Sequence, residues 1–245
     1  MPPSSKGTII VTGPAGGIGG SWVLEHLKSP KAKLYHTIYL IHPHAPGTLK
    51  ETIEKYGPVG YSYEILPVDL SKQSSIRAFA KDINSRISSG EIRRIKLLLL
   101  IAGAMFKNKH SSDGLSFTGD GIESTFAVNY LSNFLLVLLL LEGMDREWAR
   151  VVWLASYSHD THLLISRKIF PKLEDRVVFK GEGRGDVERL ARQTVSIETG
   201  DESLASVRRY VRIESLCLVA LIIHSHDCGS VSHDCCCYSL LKVAY

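Results

Sequence analysis

At 245 residues, with 44% hydrophobic and 22% charged residues, the chain has the size and balance of one α/β domain with a substantial core. Its formal charge of +4 comes from scattered Lys and Arg, which excludes a nucleic-acid-binding stripe. The start, MPPSSKGTIIVTG, has no basic n-region or long apolar run, and the most apolar stretch, Phe134 to Leu141, is too short for a bilayer, so a cytoplasmic protein without a membrane span is expected.

The β-branched run Thr8 to Val11 predicts a first strand, and glycines follow it. Gly17 to Lys28 has helical spacing, with Ile18, Trp22, Val23 and Leu27 as its apolar face. Thr37 to Ile41 predicts a second strand, Thr48 to Tyr56 a helix and Tyr61 to Val68 a third strand. Ser71 is expected to cap the next helix, which carries Ile76, Phe79, Ala80, Ile83 and Ile87 on one side. The run Ile95 to Ile101 predicts a strand buried on both faces. Gly121 to Met144 predicts one long helix, and Val151 to Ala155 a fifth strand. Strands alternating with helices indicate a Rossmann-like, doubly wound parallel sheet in three α/β/α layers. One domain is expected over residues 1–245: a core at 7–157, an irregular polar insert at 158–206 and a cysteine-rich tail at 224–245.

"VTGPAGGIGG" places Gly13, Gly16, Gly17, Gly19 and Gly20 between the first strand and first helix. Glycines there let a pyrophosphate approach backbone N–H groups at a helix N-terminus. The other reading is a flexible turn without a ligand. The second strand ends in "YLIHPH". It has no acidic residue to hold a ribose 2′-OH, while His42 and His44 could lie near a 2′-phosphate, which favours NADP over NAD. Both histidines read equally well as solvated loop residues.

The segments "VTGPAGGIGG", "PVDLS", "LLIAGAM", "FAVNYLSNFLL" and "RVVWLASYSHD", in this order over about residues 7 to 160, resemble those of the short-chain dehydrogenase/reductase family. Thr12, Gly13, Gly17 and Gly19 match its Thr-Gly-x-x-x-Gly-x-Gly turn, which also makes Ile18 a cofactor-binding candidate. "PVDLS" sets Asp69 and Leu70 where the family contacts adenine, although Asp69 also suits a helix cap. "LLIAGAM" keeps Ala102 and Gly103 of the family's Asn-Asn-Ala-Gly, with Leu100 and Ile101 replacing the asparagines. "FAVNYLSNFLL" sets Asn129 at the family's structural and catalytic asparagine, a position that also reads as a polar residue satisfied inside a helix. "RVVWLASYSHD" sets Ser156 at the catalytic serine, or simply at the end of a strand. Its wording and the insert after it resemble fungal secondary-metabolite reductases acting on small apolar metabolites such as polyketides or terpenoids.

The resemblance implies that a tyrosine exchanges a proton with the substrate oxygen while hydride moves to or from the nicotinamide. A lysine lowers the tyrosine pKa and holds the ribose, Ser156 bonds the substrate oxygen and Asn129 holds a relay water. It also implies a homodimer through the helix around 121–144, which otherwise reads as core.

Two tyrosines compete for the catalytic place. Tyr210 precedes an apolar stretch as in the family, but Glu214 stands four residues on, where a carboxylate would raise the phenol's pKa. Tyr238 and Lys242 make a Tyr-x-x-x-Lys pair, and Lys242 would then hold the ribose as well. Only three residues follow Lys242, so the family's last strands are expected to be missing and the chain to be truncated or aberrant. Removing 211–238 would join Tyr210 to Ser239-Leu-Leu-Lys242 and restore the motif. A nucleotide-binding member without turnover is therefore the alternative reading. All five cysteines (Cys217, Cys228, Cys235, Cys236 and Cys237) lie in the last 29 residues. They lack paired metal-ligand spacing, so no metal is expected.

Overall fold

The computed structural model describes residues 5–106, 110 and 115–154. The chain divides into two compact units: residues 1–103 with 132–153, and residues 104–131 with 154–245.

The first unit holds a five-stranded sheet of β1 (Thr8–Thr12), β2 (His36–Ile41), β3 (Ser62–Pro67), β4 (Ile95–Leu100) and β5 (Arg150–Trp153). The strand order is β3-β2-β1-β4-β5 and every pairing is parallel. Parallel neighbours need crossovers, and α1 (Gly17–Lys28), α2 (Thr48–Tyr56) and α3 (Gln73–Ser88) supply them. Register decides which side chains share a face. Val11 pairs with Tyr39 on one side and Leu99 on the other. These three pack with Val23 and Leu27 of α1 and Leu49 and Ile53 of α2 in one buried cluster. The alternate residues Ile10, Ile38, Leu98 and Leu100 point to the opposite face and are fully buried. α3 and α5 (Ser132–Leu140) pack against each other and bury Ile76, Ile83, Leu136 and Leu140. Each such side chain contributes roughly 1.5–3 kcal/mol by leaving water. The Rossmann-like three-layer fold expected from the sequence is present, and α1 and α2 keep their predicted limits.

Four expectations change. Ser71 does not cap α3: the cap position is Lys72, without a side-chain cap bond, and the Ser71 hydroxyl instead donates to Asp69 Oδ1 at 2.6 Å. A carboxylate two residues back is the stronger local acceptor, and it turns the hydroxyl away from the helix. β4 is not buried throughout, because Lys96 and Leu97 near its start are half-buried. Lys96 there reaches Asp145 at 2.7 Å.

The predicted helix Gly121–Met144 starts later and is interrupted. Glu123 caps α4 (Ser124–Phe126) by accepting the Phe126 N–H at 2.7 Å. Five residues of π-helix, Ala127–Leu131, follow before α5, and a 3-10 turn, Leu141–Gly143, ends the run. Gly121, with φ +73°, sits in the tight turn that closes from Thr118 ahead of this start. Finally, Phe134–Leu141 is part of a 20-residue run, Ser124–Gly143, that is long and apolar enough by length and composition to cross a membrane. Just over half of its most apolar window is buried inside the protein, as in the core helix of a globular fold.

Within the second unit, Phe117 bridges Glu123, and the Ser124 N–H donates to the Ser116 carbonyl at 2.8 Å. The expectations for 158–206 and 224–245, and for absent last strands, lie outside the described residues.

Candidate functional site

Parallel strands all end at one edge of the sheet, and the turns that leave that edge form the ligand crevice of an open α/β fold. The glycine turn leaves β1 there. Its glycines divide into two kinds. Gly13, at φ +67°, lies so close to the β4 exit that a Cβ would stand 2.8 Å from the Ala102 backbone. A Cβ on Gly19 would overlap the Gly13 carbonyl oxygen. These two close the turn on itself. A Cβ on Gly16 or Gly17 would instead meet nothing within 4 Å, and both residues are exposed. They leave an open cradle at the start of α1, which has no side-chain cap and no acidic residue in its first turn. The bare N–H groups and the positive end of the helix suit a phosphate. Ile18 stands at the rim of this cradle, 59% exposed.

Thr12 serves the turn from below. It is fully buried, and its hydroxyl oxygen accepts the N–H groups of Ile101 and Ala102, each at 3.1 Å. It thereby ties the β1 exit to the β4 exit, where Ala102 is half-buried and Gly103 exposed.

The exits of β2 and β3 bring together two more residues singled out in the sequence. His42 Nε2 lies 4.0 Å from Asp69 Oδ1. Asp69 is held firmly. Its Oδ1 accepts the Ser71 N–H at 3.0 Å and the Ser71 hydroxyl, its Oδ2 meets Lys72 Nζ at 3.0 Å, and its N–H donates to Ser75 Oγ at 3.0 Å. Burial pushes its carboxyl up, but the Ser71 and Lys72 contacts together hold it below the usual carboxylate range. Lys72 and Ser75 were not singled out from sequence. The Asp-x-Ser turn signal marks Asp69 and Ser71 alone, since Asx residues bond their own backbone two residues on, and Lys72 and Ser75 come to Asp69 only as the chain turns into α3. Leu70 is half-buried beside this turn.

In the second unit the π-turn carries Asn129, which is buried, and its Oδ1 accepts the Ala104 N–H at 2.8 Å. The wide turn places a buried amide on a loop backbone, and π-turns recur at functional positions for this reason. Ser156, Tyr210, Tyr238 and Lys242 lie outside the described residues. No cluster of three or more His, Cys, Asp or Glu that could hold a metal occurs among the described residues. A groove of about 790 Å³ opens at the opposite, basal end of the sheet, beside Lys6, Arg93, Arg94 and Lys96. Arg94 there donates to the Glu142 and Met144 carbonyls, and Lys96 pairs with Asp145.

A parallel sheet with an open glycine cradle at the strand exits defines an α/β protein of the nucleotide-crevice class. The chain belongs to the short-chain dehydrogenase family, whose model matches residues 7–163. It is 40% identical over 160 residues to the short-chain dehydrogenase iccH of Talaromyces variabilis, covering 64% of this chain and 42% of that one. It is 33% identical over 169 residues to the human polyprenol dehydrogenase, covering 65% and 45% of the two chains. The chain thus spans less than half the length of these curated relatives. Among solved structures, a metagenomic short-chain oxidoreductase in complex with NADP matches in fold with a TM-score of 0.53 at 15% identity, covering 91% of this chain and 77% of that one.

Proposed function

We propose that this chain carries the cofactor module of an NADP-dependent oxidoreductase that interconverts a hydroxyl and a ketone on a small apolar metabolite. The observation that carries this reading is the open cradle at Gly16 and Gly17, set against a turn closed by Gly13 and Gly19. Its exposed, uncapped helix start fits a pyrophosphate. NADP is favoured over NAD because His42, not a carboxylate, leaves β2. The NADP complex of the metagenomic neighbour supports the same preference.

Bound NADP supplies or accepts the hydride. The chain's own part is positioning. The α1 start holds phosphate, His42 faces the 2′ position, and Asp69 with Leu70 borders the adenine. Ile18, Ala102 and Gly103 line the path toward the nicotinamide. Asn129 holds a relay water, Ser156 bonds the substrate oxygen, and Tyr210 or Tyr238 exchanges the proton with help from Lys242. These last roles rest on the family resemblance. The similarity of "RVVWLASYSHD" to fungal secondary-metabolite reductases supports a place in secondary metabolism.

Homodimerisation through the helix around 121–144 belongs to the same reading. Phe134, Leu138 and Leu141 recur at helical spacing and are 38%, 51% and 42% exposed. Leu138→Glu is expected to turn a dimer into a monomer in sedimentation velocity; a wild-type monomer would refute it.

A second reading is favoured by Glu214, which stands where a catalytic lysine would follow Tyr210. It makes the chain a nucleotide-binding member without turnover. The test is a titration with NADPH and with NADH, read by nicotinamide fluorescence, followed by a model-ketone assay. NADPH-preferring binding with turnover that falls at least about 100-fold in Lys242→Ala supports the first reading. Binding without turnover supports the second, and binding of neither cofactor overturns both.

A further inference from the structure

The loop after β2 holds a contact that a proton would break. His42 Nδ1 accepts the backbone N–H of His44 at 3.2 Å, so this nitrogen is unprotonated. The single proton of the ring then sits on Nε2, toward Asp69 Oδ1 at 4.0 Å. The side chain is 56% exposed, so solvent and ligand both reach it. The titratable and charged groups around it among the described residues are Asp69, Lys72 through its pair with Asp69, and the His44 ring at 5.4 Å. Asp69 is already engaged by Ser71 and Lys72, so its charge is shared among several partners.

We propose that His42 makes the binding of a 2′-phosphorylated dinucleotide proton-linked: His42 takes up a proton at Nδ1 on binding and releases the His44 N–H. The inference rests on the NADP reading above and adds a pH dependence to it. A phosphate monoester is close to a dianion at neutral pH and draws a cation to itself. The imidazolium supplies that charge together with a new Nδ1–H donor, and the freed His44 N–H becomes a second donor at the loop. NADH has no 2′-phosphate and recruits no proton. By linkage, proton uptake on binding makes NADPH affinity rise as pH falls.

The experiment is calorimetric titration of the full chain with NADPH and with NADH from pH 8.0 to 6.5, in buffers of different ionisation enthalpy. For NADPH the expected result is a Kd that falls about threefold or more over this range, with net uptake of roughly half a proton. For NADH the Kd should change less than about twofold. His42→Gln should flatten the NADPH profile, and any slope left in it belongs to the phosphate itself. His42→Arg should bind NADPH tightly with no slope. A flat wild-type profile with NADPH still preferred overturns the proton linkage and leaves the NADP reading intact. A slope removed by His44→Gln but not by His42→Gln overturns the assignment to His42. No preference for NADPH at any pH overturns both.

Discussion

At the base of the sheet Glu64, Arg86 and His36 form one side-chain network, whereas at the crevice end the start of α1 leaves backbone donors without a side-chain cap and the His42 ring stands half in solvent. Arg86 of α3 spans the base. It makes a two-pronged contact with Glu64 of β3 at 2.5 and 3.0 Å and reaches Glu91 at 2.7 Å. Glu64 also meets His36 Nε2 at 2.9 Å, while His36 Nδ1 lies 2.7 Å from Ser62 Oγ. The Arg86 hydrogen bond holds the Glu64 carboxyl below its usual range, and burial pushes His36 down. At the other end α1 starts with no side-chain cap and a pair of exposed glycines. The difference separates two uses of polar groups. Paired charges stabilise the fold, and the backbone donors at a bare helix start suit an anionic ligand.

Gly19→Val would break this comparison most forcefully. It forces a side chain into the Gly13 carbonyl and should cost more than about 3 kcal/mol, read as loss of the folded transition in thermal melts. Gly19 is thus a crevice-end residue whose role is packing. Arg86→Ala, at the base, leaves Glu64 and Glu91 without their shared partner and should cost about 1–3 kcal/mol in urea unfolding, without changing NADPH affinity.

The base should also make stability fall with acid. His36 binds its proton less readily folded than unfolded, so stability present above about pH 6.5 is lost as pH drops below that value. Glu64, depressed when folded, contributes stability present above about pH 4.3 and lost as pH falls through its folded pKa. Melting temperature should therefore decline from pH 7 toward pH 4, and His36→Gln should flatten the upper part of that slope. Gly16→Ala meets open space in extended backbone, so it should raise stability by about 0.5 kcal/mol while weakening NADPH binding. A loss of stability there would show that Gly16 serves packing instead. His42→Gln sharpens the contrast from the smallest side: its effect on stability should stay under about 0.5 kcal/mol, because the ring is largely solvated.

The sheet, the first two crossover helices and the glycine turn were legible in the sequence, because each follows from local periodicity and from glycine's freedom near the chain. α1 and α2 begin and end where their spacing says. The same local signals misjudged the helix through Asn129. Nothing in "FAVNYLSNFLL" marks a π-turn, which puts the Asn129 side chain on the Ala104 N–H 25 residues away. The sequence likewise leaves Asp69 between cap and adenine contact, whereas the structure surrounds it with Ser71, Lys72 and Ser75.

The sequence alone determined the parallel α/β fold and its family, since strand–helix alternation and a glycine turn are short-range patterns that chain connectivity converts into topology. Only the tertiary structure decided which glycines close the turn and which leave it open, that His42 faces Asp69, and that Glu64, Arg86 and His36 form one network. Most of those facts depend on atoms brought together from distant parts of the sequence, such as Gly13 with Ala102 or Glu64 with Arg86, and no local pattern encodes their distances.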